Sequence, residues 1–337
     1  MIPPIVSSVL VVFLALLGGL VVPWLAMSAL APTLEASERL AVTNYRGRRV
    51  VAGLGLVWVV WAIGVFAVGT ALSALASRSW DAWVLQPSSA WLDPGALPFV
   101  LVLGAFALGL ADDLFGDAAE KGFRGHLRAL TSGRLSTGSL KLVGIGVLAL
   151  ASAPFVADFG AGTDSQTTFV VAIALEALAI ALTANLVNLT DLRPGRALKV
   201  YSALVVGLLV GWGVRLAGTG ASWAEIAVAF AVFLGPVIAV WRLDLGERAM
   251  LGDAGANAAG ALAGWLACVV LDTWWPLAAY VGVLLILNLA SEKFSFSAVI
   301  EKNAALSWLD GLGRLHDDPS DDGESEKSSS DAVITEK

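Results

Sequence analysis

The chain has 337 residues, 57% of them hydrophobic and only 15% charged, with a mean hydropathy of +0.78. That balance excludes a water-soluble globular domain and points to an all-α, polytopic membrane helix bundle. The formal net charge of −7 says little about partners, because much of the acid lies in the terminal run Asp317–Lys337. That run is Ser-rich and almost free of aromatics, so it is expected to be a disordered tail behind an integral membrane domain over 1–316.

A membrane-spanning helix needs about 20 consecutive apolar residues. In chain order the candidate spans are 4–30, 51–76, 97–112, 139–157, 168–188, 199–217, 222–241, 254–272 and 274–291, about nine in all. Pro3-Pro4 opens the first without a basic n-region or a small-residue cleavage site, so no cleaved signal peptide is expected. Leu271-Asp-Thr-Trp-Trp-Pro276 must make a very tight turn between the last two, with Trp274 and Trp275 suited to an interfacial aromatic belt. Cys268, the single cysteine, lies inside an apolar span; it is read as a packing residue and cannot form an intrachain disulfide.

The connecting segments 32–50, 113–141, 189–199, 242–253 and 292–337 hold every lysine and arginine except Arg78 and Arg215. The positive-inside rule then predicts an outside N-terminus and a cytoplasmic C-terminus. No zinc-type Cys/His spacing and no basic, aromatic-interleaved patch is present, so nucleic acid is not an expected partner.

Four of the predicted cytoplasmic segments carry chemistry. The first reads Thr43-Asn-Tyr-Arg-Gly-Arg-Arg49 followed by glycines at 53 and 55. Asn44, Arg46 and Arg48 there suit phosphate binding, since glycine lets backbone amides approach an anion; a plain positive-inside anchor is the alternative. The second begins at Asp112-Asp113, where an apolar span surfaces, and runs through Asp117 and Lys121 to Lys141. Adjacent carboxylates at a membrane boundary need a cation or a shared proton. Oxygen-only ligands favour Mg²⁺, or Mn²⁺, with substrate phosphates completing the coordination shell.

The third segment, Asn185-Leu-Val-Asn-Leu-Thr-Asp-Leu-Arg-Pro-Gly-Arg196, places Asn185 and Asn188 on one face of the fifth span. Such residues line a cavity or bond across helices. The fourth, Leu251-Gly-Asp-Ala-Gly-Ala-Asn257, opens the eighth span, where Asp253 is a metal ligand or a helix N-cap. Together these put carboxylates, cations and glycine-rich turns at one membrane surface. Phosphoryl transfer between a nucleotide and a lipid phosphate needs those groups in that place.

These residues resemble the polyprenyl-phosphate sugar-1-phosphate transferases. That family shares Asp-Asp at the end of the third span, Asn-x-x-Asn-Leu-x-Asp after the fifth and Gly-Asp-x-Gly at the eighth. Here the motifs stand as Asp112-Asp113, Asn185 to Asp191 and Gly252-Asp-Ala-Gly255, in the same order, over roughly residues 1–290. The resemblance implies attack by a polyprenyl phosphate on the β-phosphate of a nucleotide sugar, commonly a UDP-sugar, with release of nucleotide monophosphate for cell-envelope glycan synthesis. It implies Mg²⁺ held by Asp112, Asp113 and Asp253, and Lys141 beside them as a catalytic cation. Substrate contacts would come from Asn44, Arg46, Arg48, Lys121, Asn185, Asn188, Asp191, Arg193 and Arg196. It also implies a homodimer in the bacterial plasma membrane.

The chain departs from the family in three places. The nucleotide motif usually continues Gly-Leu-Asp-Gly but here reads Leu192-Arg-Pro-Gly-Arg196, so a base-contacting carboxylate is replaced by arginines. The His-rich last loop is replaced by Lys293-Phe-Ser-Phe-Ser-Ala-Val-Ile-Glu301, and the terminal span of the ten-helix members is missing. A non-catalytic lipid-phosphate or sugar-phosphate binding or regulatory relative would also keep these motifs. A transporter is disfavoured, because transporter sites lie near the bilayer midplane rather than at one surface.

Overall fold

The computed structural model describes residues 4–76, 96–116, 137–156, 166–216 and 223–315. Among these residues the protein is a bundle of long apolar helices with a three-stranded sheet at one end. Helix α1 (Pro4–Leu16) continues through a π-helical turn (Leu17–Val21) into α2 (Val22–Glu35). Strands β1 (Ala41–Thr43) and β2 (Arg49–Ala52) follow, then α3 (Leu56–Ala76), α4 (Ala96–Phe115), α5 (Thr137–Val156) and α6 (Gln166–Thr190). Next come α7 (Arg196–Leu216), α8 (Trp223–Leu245), β3 (Ala249–Met250), α9 (Gly252–Val270) and α10 (Trp274–Ser291). Two short helices, α11 (Phe296–Lys302) and α12 (Ala304–Gly311), close the described chain.

Among the described residues eight helical stretches are long and apolar enough to cross a membrane, and α3 adds a shorter apolar stretch, Leu56–Leu72. The protein is therefore a multi-pass helical membrane protein. The expected span over 51–76 starts too early. Val50, Val51 and Ala52 are apolar, but they lie in β2, which pairs antiparallel with β1 and parallel with β3. A short apolar run of this kind has no periodicity to separate strand from helix. The span expected over 97–112 runs on to Phe115, so Asp113 as well as Asp112 lies in the last turn of α4. The tight turn at Leu271–Thr273 is present, and the rings of Trp274 and Trp275 stack at 3.9 Å between centroids.

Helix α9 is the hub, packed against α6, α4 and α7. Its sequence, Gly252-Asp-Ala-Gly-Ala-Asn-Ala-Ala-Gly-Ala-Leu-Ala-Gly264, is almost all small residues, and 83% of its apolar window is buried. Small side chains let helix backbones meet in a membrane, where packing rather than hydrophobic exclusion drives association. At Gly260 and Gly264 a Cβ would lie against the α6 backbone at Ala184 and Ile180, so these positions set the α6–α9 approach. Buried aromatic rings, Trp58, Trp61, Tyr201 and Phe233 among them, sit within the largely aliphatic remainder of the core. Trp61 donates to the Val232 carbonyl at 2.7 Å and Tyr201 to the Phe233 carbonyl at 2.8 Å, satisfying polar atoms that hydrocarbon could not.

Candidate functional site

The ends of α4, α5, α6 and α9 that meet the sheet carry most of the residues singled out from sequence. Lys141, in the second turn of α5, extends its ammonium between Asp112 of α4 and Asp253 of α9, at 2.6 and 2.5 Å from their Oδ2 atoms. The lysine side chain is only 14% exposed. The cation that the acidic pair requires is therefore supplied, in this structure, by the protein itself.

Asp113 does a different job from its neighbour. Its Oδ1 accepts the backbone N–H of Asp253 and its Oδ2 that of Ala254, both at 2.9 Å. The carboxylate caps the N-terminus of α9 from another helix, meeting free amide donors and the positive end of the helix dipole. Gly252 makes this possible: its φ is +67°, and a Cβ there would lie 2.9 Å from Asp113 Oδ2. Gly255 has a parallel role, since its Cβ would lie 2.7 Å from the Cα of Gly55 just before α3. The Gly-Asp-Ala-Gly motif thus brings Asp253 against α4. The Asn257 amide, one turn on, fixes the Asp253 carbonyl at 2.7 Å.

At the end of α6, Asn188 Oδ1 and Asp191 Oδ2 are buried without a hydrogen-bond partner among the described residues. Orphan buried oxygens each cost about 1–3 kcal/mol and call for a water, an ion or a ligand. Burial raises the Asp191 carboxyl well above its ordinary pKa, and the charges of Asp244 and Asp253 push it the same way. Asn185, three residues before Asn188, instead bonds across to Asn288 of α10 at 2.6 Å, the helix-bridging alternative.

A cleft of about 330 Å³ opens beside this cluster, lined by Asn44, Tyr45, Asp191, Arg193, Asp244 and Glu247 among others. The first-loop residues expected to meet phosphate are engaged inside the protein. Asn44 donates to Glu247 Oε2 at 3.0 Å, Arg46 Nε lies 3.2 Å from Glu247 Oε1, and Arg48 lies 3.9 Å from Oε2. Arg193 stacks over the Tyr45 ring at 4.0 Å and pairs with Glu301 at 2.8 Å. Arg196 is buried at 3% exposure, its guanidinium held bidentately by Asp310 and bonded to Ser297. That guanidinium faces the C-terminal helices, not the cleft. Lys121 and Asp117 lie outside the described residues, as does the tail 317–337.

Glu247, Asp244 and Tyr45 were not anticipated. Glu247 has a positive φ of 51° and a side chain 2% exposed, and Asp244 accepts the Gly195 amide at 3.1 Å. The signal for Asp244 and Glu247 is the mixed-charge run Arg242-Leu-Asp-Leu-Gly-Glu-Arg248 between two apolar spans; Tyr45 sits in the basic first loop with nothing in the sequence to mark it.

The donor chemistry suits a hard divalent cation. Asp112 and Asp253 converge on one point, and the buried Asp191 carboxyl lies close enough to feel the Asp253 charge. Among the described residues no three His, Cys, Asp or Glu side chains form a complete cage. Mg²⁺ does not need one, since it binds through one or two carboxylates with water and phosphate oxygens. No family model matches this chain, and no curated protein does either.

Proposed function

We propose that the protein transfers a sugar-1-phosphate from a nucleotide sugar, a UDP-sugar by preference, to a polyprenyl phosphate. An oxygen of the lipid phosphate bonds to the β-phosphorus of the donor. The bond from that phosphorus to the bridging oxygen breaks, and nucleoside monophosphate leaves with that oxygen. The lipid phosphate is ionised near neutral pH, so no strong general base is required.

Asp112 and Asp253 would hold Mg²⁺, or Mn²⁺, with Asn188 and Asp191 as further oxygen donors. The ion, when bound, supplies neutralisation of the charge that develops on the diphosphate. Asp113 acts as a positioning residue, fixing the Asp253 backbone through the cap it makes on α9. Lys141 balances the carboxylates before substrate arrives and is the cation at hand for phosphate oxygens. Asn44, Arg193 and Tyr45 line the cleft proposed for the nucleotide. Arg196 drops out of the substrate set and becomes a clamp for the C-terminal helices. The lysine and arginine distribution supports a cytoplasmic site in a bacterial plasma membrane, and the family resemblance supports a homodimer serving cell-envelope glycan synthesis.

The observation that carries the proposal is the convergence of Asp112, Lys141 and Asp253 from three helices, with the buried Asp191 carboxyl within reach of the Asp253 charge. Purified protein with undecaprenyl phosphate, Mg²⁺ and a panel of nucleotide sugars should release nucleoside monophosphate and yield a lipid-linked sugar phosphate. One feature favours a second reading, a non-catalytic lipid-phosphate or sugar-phosphate binder: the Lys141 ammonium already stands between the two carboxylates. Tight lipid-phosphate binding with no turnover across the panel would establish that reading and refute the first.

A further inference from the structure

Helices α11 and α12 are short, but they are built as helices. The Ser295 hydroxyl caps α11 at the Ala298 amide, and the Asn303 side chain caps α12 at the Ala305 and Leu306 amides. At 3.6 residues per turn, α12 and the residue after it have two unlike faces. Ala305, Leu306, Trp308, Leu309 and Leu312 fall on one arc, and Ser307, Asp310 and Gly311 on the other.

The polar arc is the one that holds the protein. Asp310 takes Arg196 bidentately and Arg314 at 2.6 Å, while Lys199 donates to the carbonyls of Leu309 and Asp310 at the helix C-terminus. Arg314 also donates to the Pro194 carbonyl at 2.7 Å. From Glu301 to Leu315 only Asp310 and Arg314 are less than exposed, whereas Trp308 is 67% and Leu309 52% exposed. An amphipathic helix next to water buries its apolar face and exposes its polar one. Here the order is reversed, and an outward apolar arc needs an apolar neighbour.

The path of the chain identifies that neighbour. Helix α10 packs on α6 at the edge of the bundle and leaves Ile286 and Leu289 outward on the lipid-facing surface. It ends at Ser291, only a short turn before α11, so the segment emerges at the bundle perimeter. Exposed Lys293 and Lys302 flank α11, a placement that suits anionic headgroups, and Trp308 is a residue type favoured at the membrane interface. We propose that α11 and α12 form a membrane-surface strap, with the apolar arc of α12 seated in the lipid leaflet and its polar arc latched to the Pro194–Lys199 segment. The strap does not depend on the catalytic proposal.

Full-length protein in phosphatidylcholine–phosphatidylglycerol vesicles, carrying nitroxides at Ala305→Cys, Ser307→Cys or Leu309→Cys in a Cys268→Ala background, tests this. Positions 305 and 309 should be relaxed by oxygen and shielded from a water-soluble nickel chelate, at a depth of about 5–10 Å into the headgroup–acyl boundary. Position 307 should favour the nickel reagent. A second measurement leaves the arc unlabelled: Trp308→Phe should lose part of the tryptophan quenching caused by lipids brominated near the headgroup. Nickel access at 305 and 309 equal to that at 307, with unchanged quenching in Trp308→Phe, overturns the proposal. So does shielding from both reagents with spin–spin broadening between labels, which would make a second copy the occupant.

Discussion

Replacing Lys141 with methionine keeps most of the side-chain volume and removes the ammonium that lies 2.6 Å from Asp112 and 2.5 Å from Asp253. Two carboxylates then face each other without a counter-ion. Breaking a buried ion pair by deleting one partner costs about 3–5 kcal/mol. The Asp253 side chain is 31% exposed, so water recovers part of the loss and the low end, about 3 kcal/mol, is expected. Reversible unfolding in mixed micelles at neutral pH measures it. The deficit should shrink as falling pH protonates the carboxylates and removes their need for the lysine. A double-mutant cycle with Asp112→Asn should give a coupling of about 0.5–3 kcal/mol, as for residues in direct contact. Mg²⁺ should restore more stability to Lys141→Met than to the parent, because the vacated point is lined by carboxylate oxygens. A variant within about 0.5 kcal/mol of the parent, with no response to Mg²⁺, would refute the placement of Lys141 as the resident cation.

Gly252→Ala forces an L side chain into a left-handed backbone and against Asp113, so it should cost about 1–3 kcal/mol. Gly146→Ala, where nothing lies within 4 Å, should be neutral or slightly stabilising; equal melting shifts for the two would contradict the cap geometry. Arg196→Ala should free α12, seen as new proteolytic cleavage after Lys293, whereas Arg193→Ala should leave that pattern intact and raise the KM for the nucleotide sugar. Burial alone would raise the Asp310 carboxyl, but the Arg196 hydrogen bonds and the Arg314 charge outweigh it and hold it below the ordinary 3.8. A depressed pKa gives stability that is present above the unfolded value and lost as pH falls through the folded one. Release of α12, followed by the same cleavage, should therefore begin only below about pH 4, and Asp310→Asn should release it at neutral pH.

The acidic site was legible because its parts break a strong rule. Ionisable residues at the end of an apolar span need partners, and Asp112, Lys141 and Asp253 are each other's partners. The division of labour between Asp112 and Asp113 was not legible, since it depends on which carboxylate meets the α9 amides 140 residues away. The arginines were harder. Arg46, Arg48 and Arg196 look like phosphate ligands in a basic loop, yet their partners Glu247 and Asp310 lie in distant segments that only the fold brings near. Val51 and Ala52 read as the start of a span because so short an apolar run carries no period. Asn185 and Asn188 look alike in sequence, but one bonds to Asn288, whereas the Oδ1 of the other is buried with no partner among the described residues.

The most direct test compares the parent protein with Asp253→Asn in Mg²⁺-dependent turnover of a reactive nucleotide sugar and undecaprenyl phosphate. The parent should release one nucleoside monophosphate for each lipid-linked sugar phosphate formed. Asp253→Asn should retain its fold and melting behaviour while losing about 10²–10³ in rate, the scale of removing a charge-stabilising group from an active site. Turnover in the variant close to that of the parent would contradict the assignment of this acidic cluster as the reaction centre.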